Sequence, residues 1–155
     1  MPKERIVRPE EMEEILARAK VARLATSWQG QPYVVPVFFV YHKGIVYIHS
    51  SRQGRKIENL RANPYVCLEV DRLHGLTPGA TACNFSARYE SVLAFGRASL
   101  LEDTLEKAEA LNLLVEKYAQ GYPFPPLTTA DLEEWPHLAV IKIEVEELSG
   151  RRNLD

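Results

Sequence analysis

Cysteine is scarce in this chain, with two in 155 residues, and Cys67 and Cys83 form neither a CxxC pair nor a zinc-finger spacing with histidine. That excludes a disulfide framework. Both thiols lie in strand-like apolar surroundings, where a free cysteine is expected to be a small buried hydrophobe. An excess of one charge is also missing: 19 Lys and Arg stand against 21 Asp and Glu, a net charge of −2. This balance argues against a large phosphate-backbone footprint, so nucleic acid is not expected as a partner. No uncharged apolar run approaches the roughly 18 residues of a membrane span, the longest candidate being Pro32 to Tyr41. The start, Met1-Pro2-Lys3-Glu4-Arg5, has no apolar signal core, and a cytoplasmic location is expected. There is no internal repeat, and GxSxG, HExxH, Walker-type and GxGxxG motifs are all lacking. Hydrolase chemistry has no visible machinery, so any reaction is expected to rely on a cofactor.

What remains fits one ordinary domain over residues 1–155, 46% hydrophobic and 26% charged. Met12, Ile15, Leu16 and Ala19 recur at helical spacing from Pro9 to Lys20, with acids early and bases late. Three strand-like runs follow, Val21 to Trp28, Tyr33 to Tyr41 and Ile45 to Ser50. The short separators Gln29-Gly30-Gln31-Pro32 and His42-Lys43-Gly44 make them antiparallel hairpins. A short helix begins near Gln53 and stops at Asn63-Pro64, and a strand runs from Tyr65 to Val70. The two glycines and the proline of Leu73 to Ala80 predict a loop. Ala82 to Leu101 is too long for one regular strand, which predicts a bulge near Ser86 to Glu90 or near Gly96. Thr104 to Gln120 is amphipathic, Thr128 can start a short helical turn, and His137 to Glu146 is the last strand. Six strands with three or four helices predict a mainly β fold, a small antiparallel barrel with helices packed outside.

Chemistry concentrates in His49-Ser50-Ser51-Arg52-Gln53-Gly54-Arg55-Lys56, three bases and two hydroxyls at a helix start. Helix amides and Arg and Lys side chains together suit a phosphate monoester, and bases at a helix start oppose the dipole unless an anion is present. A solvated turn would carry the same residues, and both readings stand. Tyr33 to Tyr41 is apolar on both faces and interrupted by Pro36, which belongs at an edge or bulge. Its second face is covered either by the chain's own helices or, around Pro36, by a partner subunit or planar ligand. His49 is the best-placed histidine, whereas His42, His74 and His137 fall at loops or boundaries facing solvent.

Gly30-Gln31-Pro32-Tyr33, Gly54-Arg55-Lys56, Asn63-Pro64 and Glu90-Ser91-Val92-Leu93-Ala94-Phe95-Gly96-Arg97-Ala98 together resemble the pyridoxamine 5′-phosphate oxidase-like, FMN-binding split-barrel proteins. The chain is most similar to the group related to 5-nitroimidazole antibiotic resistance proteins, from about Val7 to Gly150. The resemblance implies a six-stranded antiparallel split barrel and a homodimer with FMN at the subunit interface. It implies that Arg55 and Lys56 hold the FMN phosphate, with Ser50 or Ser51 donating hydroxyl hydrogen bonds. The backbone of Val35, Pro36, Val37 and Phe38 would lie along the isoalloxazine ring. His49 would touch ring or substrate as the catalytic candidate, and Ser91 would reach the flavin bound mainly by the other subunit. Val35 stands where the true oxidases carry a cofactor-binding arginine, and their carboxyl-terminal Arg and His arrangement is not evident in Glu147 to Asp155. The resemblance therefore implies electron transfer from a nicotinamide nucleotide, NAD(P)H, to a small acceptor such as a nitroaromatic, not pyridoxamine phosphate oxidation. A flavin-binding or sensing protein without turnover is the alternative. So is a split barrel holding haem, with His49 as axial ligand, or the deazaflavin F420. The Arg55-Lys56 pair favours a phosphorylated flavin over haem.

Overall fold

The computed structural model describes residues 3–155. Its eight strands are β1 (Glu4–Ile6), β2 (Ala22–Trp28), β3 (Gln31–Val37), β4 (Val40–His42), β5 (Ile45–Ser51), β6 (Tyr65–Thr77), β7 (Ser86–Leu100) and β8 (Leu138–Asn153). Four helices accompany them: α1 (Pro9–Arg18), α2 (Arg55–Ala62), α3 (Thr104–Tyr118) and α4 (Thr129–Glu133). The mainly β, antiparallel class holds, but the strand count is eight where six are expected. One extra strand is β1, three residues whose pairing with Glu4, Arg5 and Ile6 opposite Arg152, Arg151 and Gly150 is purely tertiary. The other arises because the apolar run from Tyr33 to Tyr41 is broken at Phe38-Phe39 into β3 and β4.

That break explains the architecture. The strands follow the order β3-β2-β6-β7-β8-β5-β4, so the two ends of the path are consecutive in sequence. Val37 and Val40 can be at most about 11 Å apart along the chain, and the sheet must therefore curl back on itself. The result is a barrel split at Phe38-Phe39. Pro32 and Pro36 sit in β3, an end strand, where the missing amide donors cost no ladder bond on the free side.

The glycine-containing separators form hairpin turns. Gln29 and Gly30 have φ of 53° and 73°, Lys43 and Gly44 of 49° and 81°, the double positive-φ pattern that matches strand twist. The register between β7 and β8 shifts at Phe95/Gly96, near the expected position, but the extra residue, Glu146, is on β8, so the bulge lies in the partner strand and not in the long strand itself. The segment from Leu73 is not a loop. β6 continues to Thr77, with a register shift between Leu73 and Gly75 absorbing the irregularity, because β7 supplies a partner along its whole length. β8 likewise runs past Glu146 to Asn153.

Two cores result. Leu24, Phe39, Val46, Ile48, Leu68, Val92 and Ile143 fill the barrel, closed at one side by Met12 and Leu16 of α1. A second core lies outside the wall, where Ala108, Leu111 and Leu114 of α3 pack on Val40, Tyr47 and Val140. α3 is started by Asp103, whose carboxylate accepts the Leu105 amide at 2.9 Å, and α4 by a Thr128–Asp131 capping box. Cys67 is half-buried on β6, but Cys83 is exposed, because Ala82–Asn84 forms a 3₁₀ turn outside the sheet.

Candidate functional site

The alternation along β5 decides which groups meet. Val46, Ile48 and Ser50 point into the barrel, while Tyr47, His49 and Ser51 point toward the α3 side. His49 lies opposite Val140 on β8 and Ser51 opposite Leu138. The chain then turns through Gly54, whose φ of 120° suits only glycine comfortably, and enters α2 with Arg55 and Lys56 in its first turn. No side chain caps this start, so the first-turn amides remain open to an anion.

Among the described residues none of Arg52, Arg55 and Lys56 enters an ion pair. The Arg55 guanidinium lies 4.7 Å from the Tyr33 ring centroid and its Nη2 donates to Gln31 Oε1 at 3.4 Å, so β3 orients it. Arg52 Nε donates to the Pro136 carbonyl at 2.8 Å, tying this turn to the segment before β8. Burial, and then the Arg52 guanidinium, lower the pKa of Lys107 on α3, with Glu102 opposing. Carboxylates lie nearby, Glu58 in the first turn of α2 and Glu134 in the lining of the adjoining cavity, but neither is ion-paired with these bases among the described residues.

Ser50 is buried and its Oγ donates to the Ser51 carbonyl at 3.0 Å, whereas Ser51 Oγ donates to the Gln53 carbonyl at 2.7 Å. Both hydroxyls brace the turn, and their lone pairs rather than their protons are free. His49, Ser50 and Ser51 line a cavity of about 610 Å³ with Trp135, Pro136 and His137. His49 also lines a second cavity, of about 520 Å³, with Phe38, Leu114, Val115 and Tyr118. Partial burial lowers the His49 pKa, which favours the neutral imidazole.

Structure thus brings Phe38, His49, Ser50 and Ser51 around adjoining cavities, with Arg55 and Lys56 next along the chain. Val35 and Val37 are half-buried against the barrel core, and Pro36 is exposed on the edge strand. Ser91 stands apart, half-buried on β7 opposite Asp71 and Arg151. Sequence reading missed Trp135, Tyr118, Gln31 and Tyr33, and only the Tyr33-bearing hairpin carried a signal. On the outer sheet face, register aligns Val34, Ala25, Cys67 and Phe95 in one cross-strand row, with Val34 60% and Phe95 38% exposed. No helix among the described residues is long and apolar enough to cross a membrane.

An antiparallel sheet closed into a barrel that is split at one seam, with helices packed outside, is the split-barrel class of fold. The sequence model of the pyridoxamine 5′-phosphate oxidase family matches residues 8–152, and the chain belongs to that family. Among solved structures it is similar to a candidate 5-nitroimidazole antibiotic resistance protein from Bacteroides thetaiotaomicron, at 28% identity and a TM-score of 0.78, over 97% of this chain and 89% of the other. The flavocytochrome Anf3 from Azotobacter vinelandii is 29% identical with a TM-score of 0.83, over 97% of this chain and 70% of the other. A FAD-binding protein from Mesorhizobium loti is 28% identical with a TM-score of 0.72, over 99% of both chains. The last two carry flavin in their names, and the family name by itself does not transfer an activity.

Proposed function

We propose that this protein binds FMN and passes electrons from a nicotinamide nucleotide to a small acceptor. The observation that carries the reading is the cluster of Arg52, Arg55 and Lys56, free of carboxylate partners, at the uncapped start of α2. Arg55 and Lys56 hold the phosphate with the first-turn amides, and the residues fit that group because neither base is ion-paired among the described residues. The Val35–Phe38 backbone seats the ring along the free side of β3, where Pro36 leaves no amide to compete. Bound FMN supplies reversible two-electron redox chemistry. Neutral His49 offers one N–H donor and one acceptor nitrogen, enough to orient an acceptor or shuttle a proton.

The exposed row of Val34, Ala25, Cys67 and Phe95 is the face through which two copies pair, bringing the partner's Ser91 to the flavin. Phe95→Glu is expected to give a monomer in sedimentation. For the cofactor, the test is the absorption spectrum of the purified protein, then of the same sample with NADH or NADPH under anaerobic conditions. A flavin band that bleaches supports the reading. A Soret band, or a colourless protein that ignores added FMN and FAD, overturns it. Arg55→Ala with Lys56→Ala should weaken FMN binding by about 2–5 kcal/mol with fold and assembly intact.

A further inference from the structure

The cavity beneath α3 differs from the phosphate-side cavity in its chemistry. Phe38, Leu111, Leu114, Val115 and Leu138 supply most of its wall, and no Asp, Glu, Lys or Arg lines it. Two lining side chains carry polar atoms, His49 and Tyr118. The Tyr118 hydroxyl is consumed: it accepts the Phe39 amide at 3.0 Å and donates to the Phe39 or Lys20 carbonyl, at 2.9 and 2.8 Å. Its ring lines the space, edge-on to Phe38 at 5.4 Å between centroids, with the Lys20 and Lys117 ammoniums 5.9 and 5.2 Å from its centroid. The His49 imidazole makes no hydrogen bond among the described residues, so it is the one lining side chain with free polar atoms.

We propose that this cavity of about 520 Å³ binds a neutral, mainly apolar small molecule with an aromatic or alicyclic body and one polar group, which hydrogen-bonds to His49. Its volume lies within the ordinary range for small-molecule sites, and its composition, apolar walls with a single convergent polar group, matches them. A charged ligand would lose hydration to a wall lined by no charged side chain, the Lys20 and Lys117 ammoniums lying over the Tyr118 ring and outside the lining, and is disfavoured for that reason. A phosphorylated substrate is disfavoured by the same argument. Because His49 also borders the cavity with Ser50 and Ser51, a ligand here would lie beside whatever occupies that second space. Naming this ligand as the electron acceptor rests on the flavin reading, but its binding does not.

The experiment titrates the full-length protein as purified with N-phenylnaphthylamine, a neutral fluorophore, and with its sulfonated analogue, anilinonaphthalene sulfonate. Saturable binding of the neutral probe, at least about tenfold tighter than the anion, is expected. Val115→Trp and, separately, Ala119→Trp should each weaken the neutral probe about tenfold or more by filling the space, with circular dichroism and FMN titration unchanged. Equal affinity for both probes, or unchanged probe binding in both tryptophan variants, overturns the proposal. Loss of probe binding as protein concentration rises identifies a second copy of the chain as the occupant and overturns it as well. Probe binding without FMN binding would sink the flavin reading alone, and FMN binding without probe binding would sink this one alone.

Discussion

One side chain at the end of α3, Tyr118, satisfies the backbone amide of Phe39: its hydroxyl accepts that N–H at 3.0 Å and lies 2.9 Å from the Phe39 and 2.8 Å from the Lys20 carbonyl oxygen, to one of which it donates. Phe39 stands where the ladder is interrupted between β3 and β4, and without that hydroxyl its buried N–H would have no partner. Lys117 adds a second bond, Nζ to the same carbonyl at 2.9 Å, with its ammonium 3.8 Å from the Phe39 ring centroid. The seam of the barrel is therefore held shut from outside, by a helix nearly eighty residues away in sequence.

Tyr118→Phe keeps the ring and removes the hydroxyl. A loss of about 1–3 kcal/mol in urea unfolding is expected, together with faster hydrogen exchange at the Phe39 amide. An unchanged midpoint with unchanged protection would show that water replaces the phenol.

Asn59 and Thr26 are buried, and the Asn59 amide donates to Thr26 Oγ1 at 3.0 Å, fastening α2 to β2. Asn59→Ala should cost about 1–3 kcal/mol and weaken FMN binding, because Arg55 and Lys56 ride on that helix. The pair Asn59→Leu with Thr26→Val should be closer to neutral in stability, since neither polar group is then left alone. Equal losses in the single and the double variant would contradict the hydrogen bond's role.

Gly96 on β7 faces the bulge that the extra residue Glu146 makes in β8, and a methyl group there would fall inside contact distance of the Glu144 carbonyl oxygen. Gly96→Ala should lower the melting temperature, at a cost of about 1–3 kcal/mol, because backbone rather than a flexible side chain must move. An unshifted melt would mean that the bulge opens freely.

Glu69 sits on the outer face with Arg23 and Asp71. Burial first, and Asp71 second, push its pKa up to about 7, with Arg23 opposing. A folded-state pKa above the unfolded value of 4.5 means that the native chain keeps a proton the unfolded chain has lost. Stability is thus expected to fall as pH rises from about 4.5 to 7 and to level off above that. Urea midpoints across this window should show the decline, and Glu69→Gln should flatten it. A decline of the same size in the variant would assign it to another group.

Much of the fold follows from local chemistry. Gly30 and Gly44 mark hairpin turns because few other residues tolerate the positive φ, and Pro36 marks an edge because it lacks an amide. The cation cluster is equally local, since Arg55 and Lys56 follow Gly54 at a helix start, where bases oppose the dipole unless an anion is present. Residues 73–77 read as a loop because of Gly75 and the glycine and proline that follow, and the last strand reads as ending at Glu146 because the charges and glycine of 147–153 hide the period of two. Their strand character comes from β7, which pairs with both.

Sequence by itself therefore determined the antiparallel class, the turns, the edge strand and the cation cluster, each a matter of neighbours a few residues apart whose backbone preferences or charges act directly. Tertiary structure decided the split of Tyr33–Tyr41 at Phe39, the pairing of Glu4–Ile6, and the meeting of His49 with Trp135 on one side and Tyr118 on the other. Those contacts join segments that share no local pattern. They exist because a sheet whose two ends are consecutive in the chain must close, and closure leaves a seam that only a distant helix can seal.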